Sequence, residues 1–246
     1  MSLYHIDIGN VGELDKIDYI VLGMPKCGTT TMYKSLDKIK KDTVLHLHTD
    51  YTLKKAFNVD WLTIKYILDN VRNRPVYIFN CYREPISRKI SQYFQYSPPY
   101  STKSTDIKIK EIREFCLGDS SFFTKLDREE IDEDFNYNLL FESTNINIFE
   151  YEFNKSLGYI DIKVDDLNIV PYTLLNINKV EKYIQDNISN EFRLETHRVS
   201  GNVGDLFYIK ENIKFSDAEL DIIYGSKYCK YFYNNEQIEF FRRKYA

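Results

Sequence analysis

The sequence is short of several things, and each shortage closes off a class of protein. It has nine glycines and six prolines in 246 residues. No internal repeat, Ser/Gly linker or low-complexity tract divides it, so one domain spanning residues 1–246 is expected. No uninterrupted apolar run approaches the ~18 residues of a membrane span, and no basic-then-apolar leader opens the chain. A basic excess is missing too: 33 Lys and Arg against 37 Asp and Glu leave a formal net charge of −4. That balance excludes a nucleic-acid binder held by bulk charge, so any anion has to be met by a local site. The four cysteines, Cys27, Cys81, Cys116 and Cys229, form no C-x-x-C pair. Their scatter reads as reduced thiols of a cytoplasmic protein, not as a disulfide frame or a zinc site. What is there is 43% hydrophobic residues, enough for a sizeable core.

The first hundred residues alternate in period. Asp18 to Leu22 is an apolar run long enough for a buried strand and too short for a helix. Met32, Leu36 and Ile39 then recur at helical spacing, Thr43 to His48 alternates like a strand, and Trp61 to Val71 is helical. Val76 to Asn80 is a third strand, after which Pro85 opens a helix with Ile86, Ile90, Tyr93 and Phe94 on one stripe. Strand and helix in alternation mean parallel strands with crossover connections, an α/β fold of three layers. Later, Tyr159–Val164 and Ile169–Leu175 read as two further strands. Ser216 with Glu219 makes a capping box that opens a helix carrying Leu220, Ile223, Tyr224 and Tyr228. The acidic run from Arg128 to Asp134 reads as a solvated helix face, and the aromatics from Tyr224 to Phe241 as packing.

Ligands of parallel sheets sit at the carboxyl ends of the strands, which singles out the loops after Leu22 and Asn80. The first, Gly23-Met-Pro-Lys-Cys-Gly28 followed by Thr29-Thr30, has the skeleton of a phosphate-binding loop, where backbone amides and a helix N-terminus face an anion. A plain strand-to-helix turn would use the same two glycines. The nucleotide-hydrolase version places Lys directly after the second glycine, where this chain has Thr29; its lysine is Lys26, inside the loop. No apolar strand ends in the Asp that would hold magnesium. The second loop, Arg83-Glu-Pro-Ile-Ser-Arg-Lys-Ile-Ser91, sets an arginine at a strand end, with Ser87 and Ser91 on one helix face. An arginine fork beside a hydroxyl and a helix N-terminus suits a terminal phosphate.

Together these residues resemble the sulfotransferase superfamily. Pro25-Lys-Cys-Gly-Thr-Thr30 is similar to that family's 5′-phosphosulfate loop, and Arg83 to Ser91 to its 3′-phosphate motif. The resemblance covers about residues 18–96, the expected donor-binding core. Residues 97–246 would carry acceptor loops and additional C-terminal helices on a P-loop-like sulfotransferase fold. Cys27 stands where Ser or another small residue is common, and Thr31 where many soluble members have Trp. The donor implied is 3′-phosphoadenosine 5′-phosphosulfate (PAPS), with no metal, and the acceptor a hydroxyl of a glycan, as in bacterial capsular polysaccharide sulfotransferases. Lys26 would stabilise charge on the leaving phosphate, helped by the Gly28, Thr29 and Thr30 amides. Arg83 and Ser91 would hold the 3′-phosphate. A histidine would serve as the base: His48, at a strand's carboxyl end, is the first choice and His46 the second. A late basic residue would join the 3′-phosphate, with Arg198 preferred over Arg193 and the Arg242–Lys244 run. The alternatives are an ATP-using P-loop kinase-like protein and a non-catalytic nucleotide-binding module.

Overall fold

The computed structural model describes residues 11–49, 54, 62–70, 74–96, 103–118, 133–195 and 203–246. In chain order the elements are β1 (Tyr19–Leu22), α1 (Thr29–Ile39), β2 (Val44–Leu47), α2 (Ile64–Asn70), β3 (Val76–Tyr82), α3 (Pro85–Tyr96) and α4 (Thr105–Cys116). Then follow α5 (Glu133–Thr144), β4 (Ile162–Val164), β5 (Leu167–Thr173), α6 (Ile177–Asn187), α7 (Val203–Asn212), α8 (Asp217–Tyr224), α9 (Lys227–Phe232) and α10 (Asn235–Tyr245). The chain divides into two compact units, Met1–Tyr82 with Asp127–His197, and Arg83–Leu126 with Arg198–Ala246.

The first unit is α/β. Its five-stranded sheet has the order β2-β1-β3-β5-β4; the first four strands are parallel, and β4 runs antiparallel to β5. Alternation along the strands assigns the two faces. Tyr19, Val21, Val44, Phe79, Cys81, Val170 and Tyr172 form one buried cluster with Met32, Tyr33 and Leu36 of α1 and Val180, Tyr183 and Ile184 of α6. On the other face the Asn80 amide donates to Asn136 Oδ1 of α5 at 3.2 Å and to the Leu22 carbonyl at 3.1 Å, and α2 packs on α5. The sheet thus has helices on both faces, as α/β layering requires. Asp18, buried at the amino end of β1, is held by Lys40 and by Arg74, the latter at 3.2 Å. That carboxylate is structural, since it lies at the end of the sheet opposite the loops of interest.

The expected strands shift at their ends. The third extends to Tyr82 because Cys81 and Tyr82 still pair with Tyr172 and Thr173 of β5. The expected Tyr159–Val164 strand shrinks to Ile162–Val164, with only a single bridge from Tyr159 to Tyr172 ahead of it. A left-handed Asp165 turns the chain straight into β5. Trp61 and Val71, and most of the acidic run, lie outside the described residues.

The second unit is helical among its described residues. There α3 packs on α4, α7 and α8. Lys108 of α4 pairs with Asp205 of α7 at 2.8 Å, and Arg113 of α4 reaches both carboxylate oxygens of Glu219 at 2.8 and 2.9 Å. The capping box at Ser216 and Glu219 is present, but the helix it opens stops at Tyr224. Ser226 caps a new helix that carries Tyr228, so the stripe expected on one helix is split between two. Tyr224, Tyr228, Phe232, Tyr233 and Phe241 are buried, in keeping with a packing role for the late aromatics. No helix among the described residues is long and apolar enough to cross a membrane.

Candidate functional site

The chain leaves β1, returns on one side as β2 and on the other as β3, so the strand order reverses direction at β1. Ligands of open parallel sheets bind at such a reversal, outside the carboxyl ends. The loop from Gly23 to Gly28 starts there. Lys26 and Gly28 both have left-handed backbones, φ 69° and 82°. The Cys27 amide between them donates to the Met24 carbonyl at 3.4 Å, so the loop is closed as a tight turn ahead of the helix. Glycine takes this conformation freely, but lysine is strained in it, and strained residues concentrate where function requires them.

Helix α1 begins at Thr29 with Gly28 as its N-cap, and neither a capping side chain nor an acidic residue attends its first turn. The orphan amides and positive dipole end therefore remain available to an anion. The floor of the loop is apolar: Met24 and Cys27 are buried in the same cluster as Cys81 and Tyr172. The Cys27 thiol, 1% exposed, points into the core, so at this position only the backbone serves a ligand. A thiol fits the core there as a small hydrophobe. Pro25 is likewise buried, whereas Lys26, Thr30 and Thr31 are half-buried.

The two histidines part company. The parallel register pairs Val21 with His46 and Leu22 with Leu47, which brings His48 level with Gly23. His46 is buried, stacks on Tyr33 with ring centroids 5.5 Å apart, and its Nε2 hydrogen-bonds Thr29 Oγ1 at 2.8 Å. Its ring ties β2 to the first turn of α1, a positioning role, and Thr29 presents only its backbone to the loop. His48 Nδ1 lies 2.5 Å from the Gly23 carbonyl oxygen. A carbonyl can only accept, so Nδ1 carries the proton and Nε2 the lone pair. Burial pulls the His48 pKa below the usual histidine value, opposed in part by the bond to Gly23. The imidazole is therefore neutral at physiological pH with a basic nitrogen to offer. Of the two, His48 has the chemistry of a general base.

This depression has a sign that can be checked. A histidine held below its unfolded pKa of 6.5 contributes stability that is present above that value and lost as the pH falls through the folded pKa. Wild-type protein is expected to lose melting temperature between pH 7 and 5 more steeply than His48→Gln. Parallel curves for the two proteins would contradict a half-buried, neutral His48.

In the second unit, the residues after β3 are arranged differently from expectation. Glu84, buried immediately before Pro85, accepts from the Ile86 amide at 2.8 Å and the Ser87 amide at 2.7 Å. Tyr224 of α8 donates to the same carboxylate at 2.7 Å. The N-terminus of α3 is thus filled by the chain's own carboxylate and is not open to a phosphate, which corrects the reading of that helix end. Burial raises the Glu84 pKa, and its three donors counter that. Arg83 donates to Ser87 Oγ at 3.0 Å. Ser91, buried, donates back to the Ser87 carbonyl at 2.9 Å, so the hydroxyl brought to Arg83 is that of Ser87. Arg88, Ser91 and Gln92 are also buried, so this face of α3 is enclosed instead of solvated.

Of the late basic residues, Arg198 lies outside the described residues. Arg193 is spent on the carbonyls of Asn190 and Phe192 at 2.9 and 2.6 Å, and Arg242 on Asp221 at 2.6 Å. Sequence reasoning missed Glu84 as a helix cap, although an acid directly before a helix-opening proline is a readable signal. The links from Tyr224 and Tyr245 to this region had no such signal. Burial pushes the Cys116 thiol up to about 12, which makes it inert as a nucleophile.

The described structure therefore defines an α/β protein whose mostly parallel sheet carries a glycine-bounded strand–loop–helix beside a base-like histidine. No protein-family model matches this chain, and no curated protein or solved structure is significantly similar to it.

Proposed function

We propose that the protein is a PAPS-dependent sulfotransferase that transfers the sulfuryl group in line to a hydroxyl, with carbohydrates as the acceptor class. The observation that carries this reading is the His48–Gly23 bond: the base is anchored on the first carbonyl of the loop that cradles the anion. In this reading Nε2 of His48 takes the acceptor's proton as its oxygen attacks sulfur. The bond from sulfur to the bridging phosphate oxygen breaks, and the electron pair stays on the 5′-phosphate. Lys26 and the amides at the start of α1 stabilise the charge that develops on that oxygen, where such groups act most strongly. Arg83 holds the 3′-phosphate, which distinguishes this donor from ATP and aligns it for attack.

The test is a thermal-shift and sulfate-transfer comparison using PAP (the 3′,5′-bisphosphate product), PAPS, ATP and ATP–Mg, with a glycan panel as acceptors. Stabilisation by PAP and PAPS, with label transferred to a glycan, is the expected result. Stabilisation by ATP–Mg alone would overturn the reading. Arg83→Ala is expected to weaken PAP about 10- to 100-fold, the worth of a charge-assisted bond to phosphate. An unchanged PAP dissociation constant would remove Arg83 from the site.

A further inference from the structure

Strand β3 reads Val-Tyr-Ile-Phe-Asn-Cys-Tyr, so Asn80 is the single carboxamide in a strand otherwise apolar or aromatic. It is 0% exposed, and Asn136, which meets it from α5, is 3% exposed. The two amides are only half used. Asn80 Nδ2 donates to the Leu22 carbonyl at 3.1 Å and to Asn136 Oδ1 at 3.2 Å. Asn80 Oδ1 and Asn136 Nδ2 have no hydrogen-bond partner among the described residues. A carbonyl only accepts, so the Leu22 bond fixes which way round both amides stand. Orphaned buried polar atoms cost stability, and an apolar pair of the same shape would avoid that cost. What Asn80 supplies that a leucine would not is the bond to Leu22.

That bond lies at the root of the loop. Leu22 and Asn80 are Cα partners in the β1–β3 ladder, and Leu22 is the last residue before Gly23. The peptide plane joining Leu22 to Gly23 is held from both sides. Its carbonyl accepts from Asn80, and its N–H donates to the Leu47 carbonyl of β2 at 3.3 Å. A peptide plane is rigid, so only the torsions of Gly23 separate this anchored plane from the Gly23 carbonyl, which accepts from His48 Nδ1 at 2.5 Å. We propose that Asn80 is a positioning residue that acts through this plane. It sets where the Gly23 carbonyl lies, and hence which nitrogen of His48 keeps the proton and where Nε2 points. The proposal rests on the reading above, in which His48 Nε2 is the base.

The variants that test this are Asn136→Leu, the double variant Asn80→Leu/Asn136→Leu, and that pair in a His48→Gln background. Asn136→Leu keeps the Leu22 bond but strips the acceptor from the second Asn80 proton, so it should melt below wild type. Its kcat for sulfate transfer should stay within about twofold of wild type. The double variant removes both amides and should melt above Asn136→Leu. It should nevertheless lose about 10- to 100-fold in kcat, the effect of a misplaced reacting group, with the PAP dissociation constant within about threefold. In the His48→Gln background the two leucines should cost less than about twofold, because a residue acting through His48 has nothing left to position. Nitrogen NMR of the histidine rings reads the tautomer without any substrate. His48 should carry its proton on Nδ1 in wild type and Asn136→Leu, and show both tautomers in the double variant. Turnover that follows melting temperature across the series, or an unchanged His48 tautomer in the double variant, would overturn the Asn80 role while the PAPS reading stands. Tautomers that change as expected in a protein that transfers no sulfate would uphold the coupling of Asn80 to His48 and sink the PAPS reading.

Discussion

Replacing Lys26 with alanine is expected to lower sulfate transfer by about 100- to 1,000-fold, the typical effect of deleting one preorganised group that meets developing charge. Lys26→Gly should do the same to turnover and the opposite to stability. Lys26 has a left-handed backbone at φ 69°, which costs a residue with a Cβ about 1–2 kcal/mol and glycine almost nothing. Alanine and glycine lack the ammonium alike, so any difference between them isolates the backbone. The glycine variant should melt several degrees above the alanine variant. Turnover retained in either protein refutes the role of the ammonium. Equal melting temperatures for the two would show that the left-handed loop is not the conformation in solution.

Gly28→Ala should damage both fold and binding. At φ 82° an added Cβ is strained, and it would sit 2.6 Å from Leu174 Cδ1, just after β5. The leucine tip can swing aside, but the backbone cannot change sign of φ without unseating the first amides of α1. A loss of about 1–2 kcal/mol follows from the dihedral alone, a drop of roughly 2–8 °C for a chain of this length. PAP affinity should fall at least about tenfold, because the first amides of α1 are displaced from the helix N-terminus that would face the anion. Leu174→Ala in the same protein should recover the contact part of the stability and none of the affinity. A double variant that binds PAP like wild type would show that the glycine serves packing only.

Much of this loop was readable from sequence. Leu22 ends an apolar run, Gly23 and Gly28 bracket a lysine, and Met32 and Leu36 begin a helical period; each signal is local and obeys backbone sterics. The start of α3 was equally plain from Pro85. What the reading of that helix missed was the occupant of its amides: Glu84 caps them through local bonds that the sequence signals, and only the Tyr224 hydroxyl, 140 residues along the chain, comes from tertiary structure. The polar face of α3 was legible as polar, but its enclosure was not. Burial of Arg88, Ser91 and Gln92 depends on neighbours from distant parts of the chain, which no window of sequence contains.

By itself, then, the amino-acid order determined the α/β alternation, the two loops after strands and the candidate residues in them, since periodicity, proline and glycine act over a few bonds. Tertiary structure alone decided which histidine bonds the loop carbonyl, where the Cys27 thiol goes and which tyrosine meets the Glu84 carboxylate. Those outcomes rest on strand register and on removal from water, and both are properties of segments meeting far along the chain.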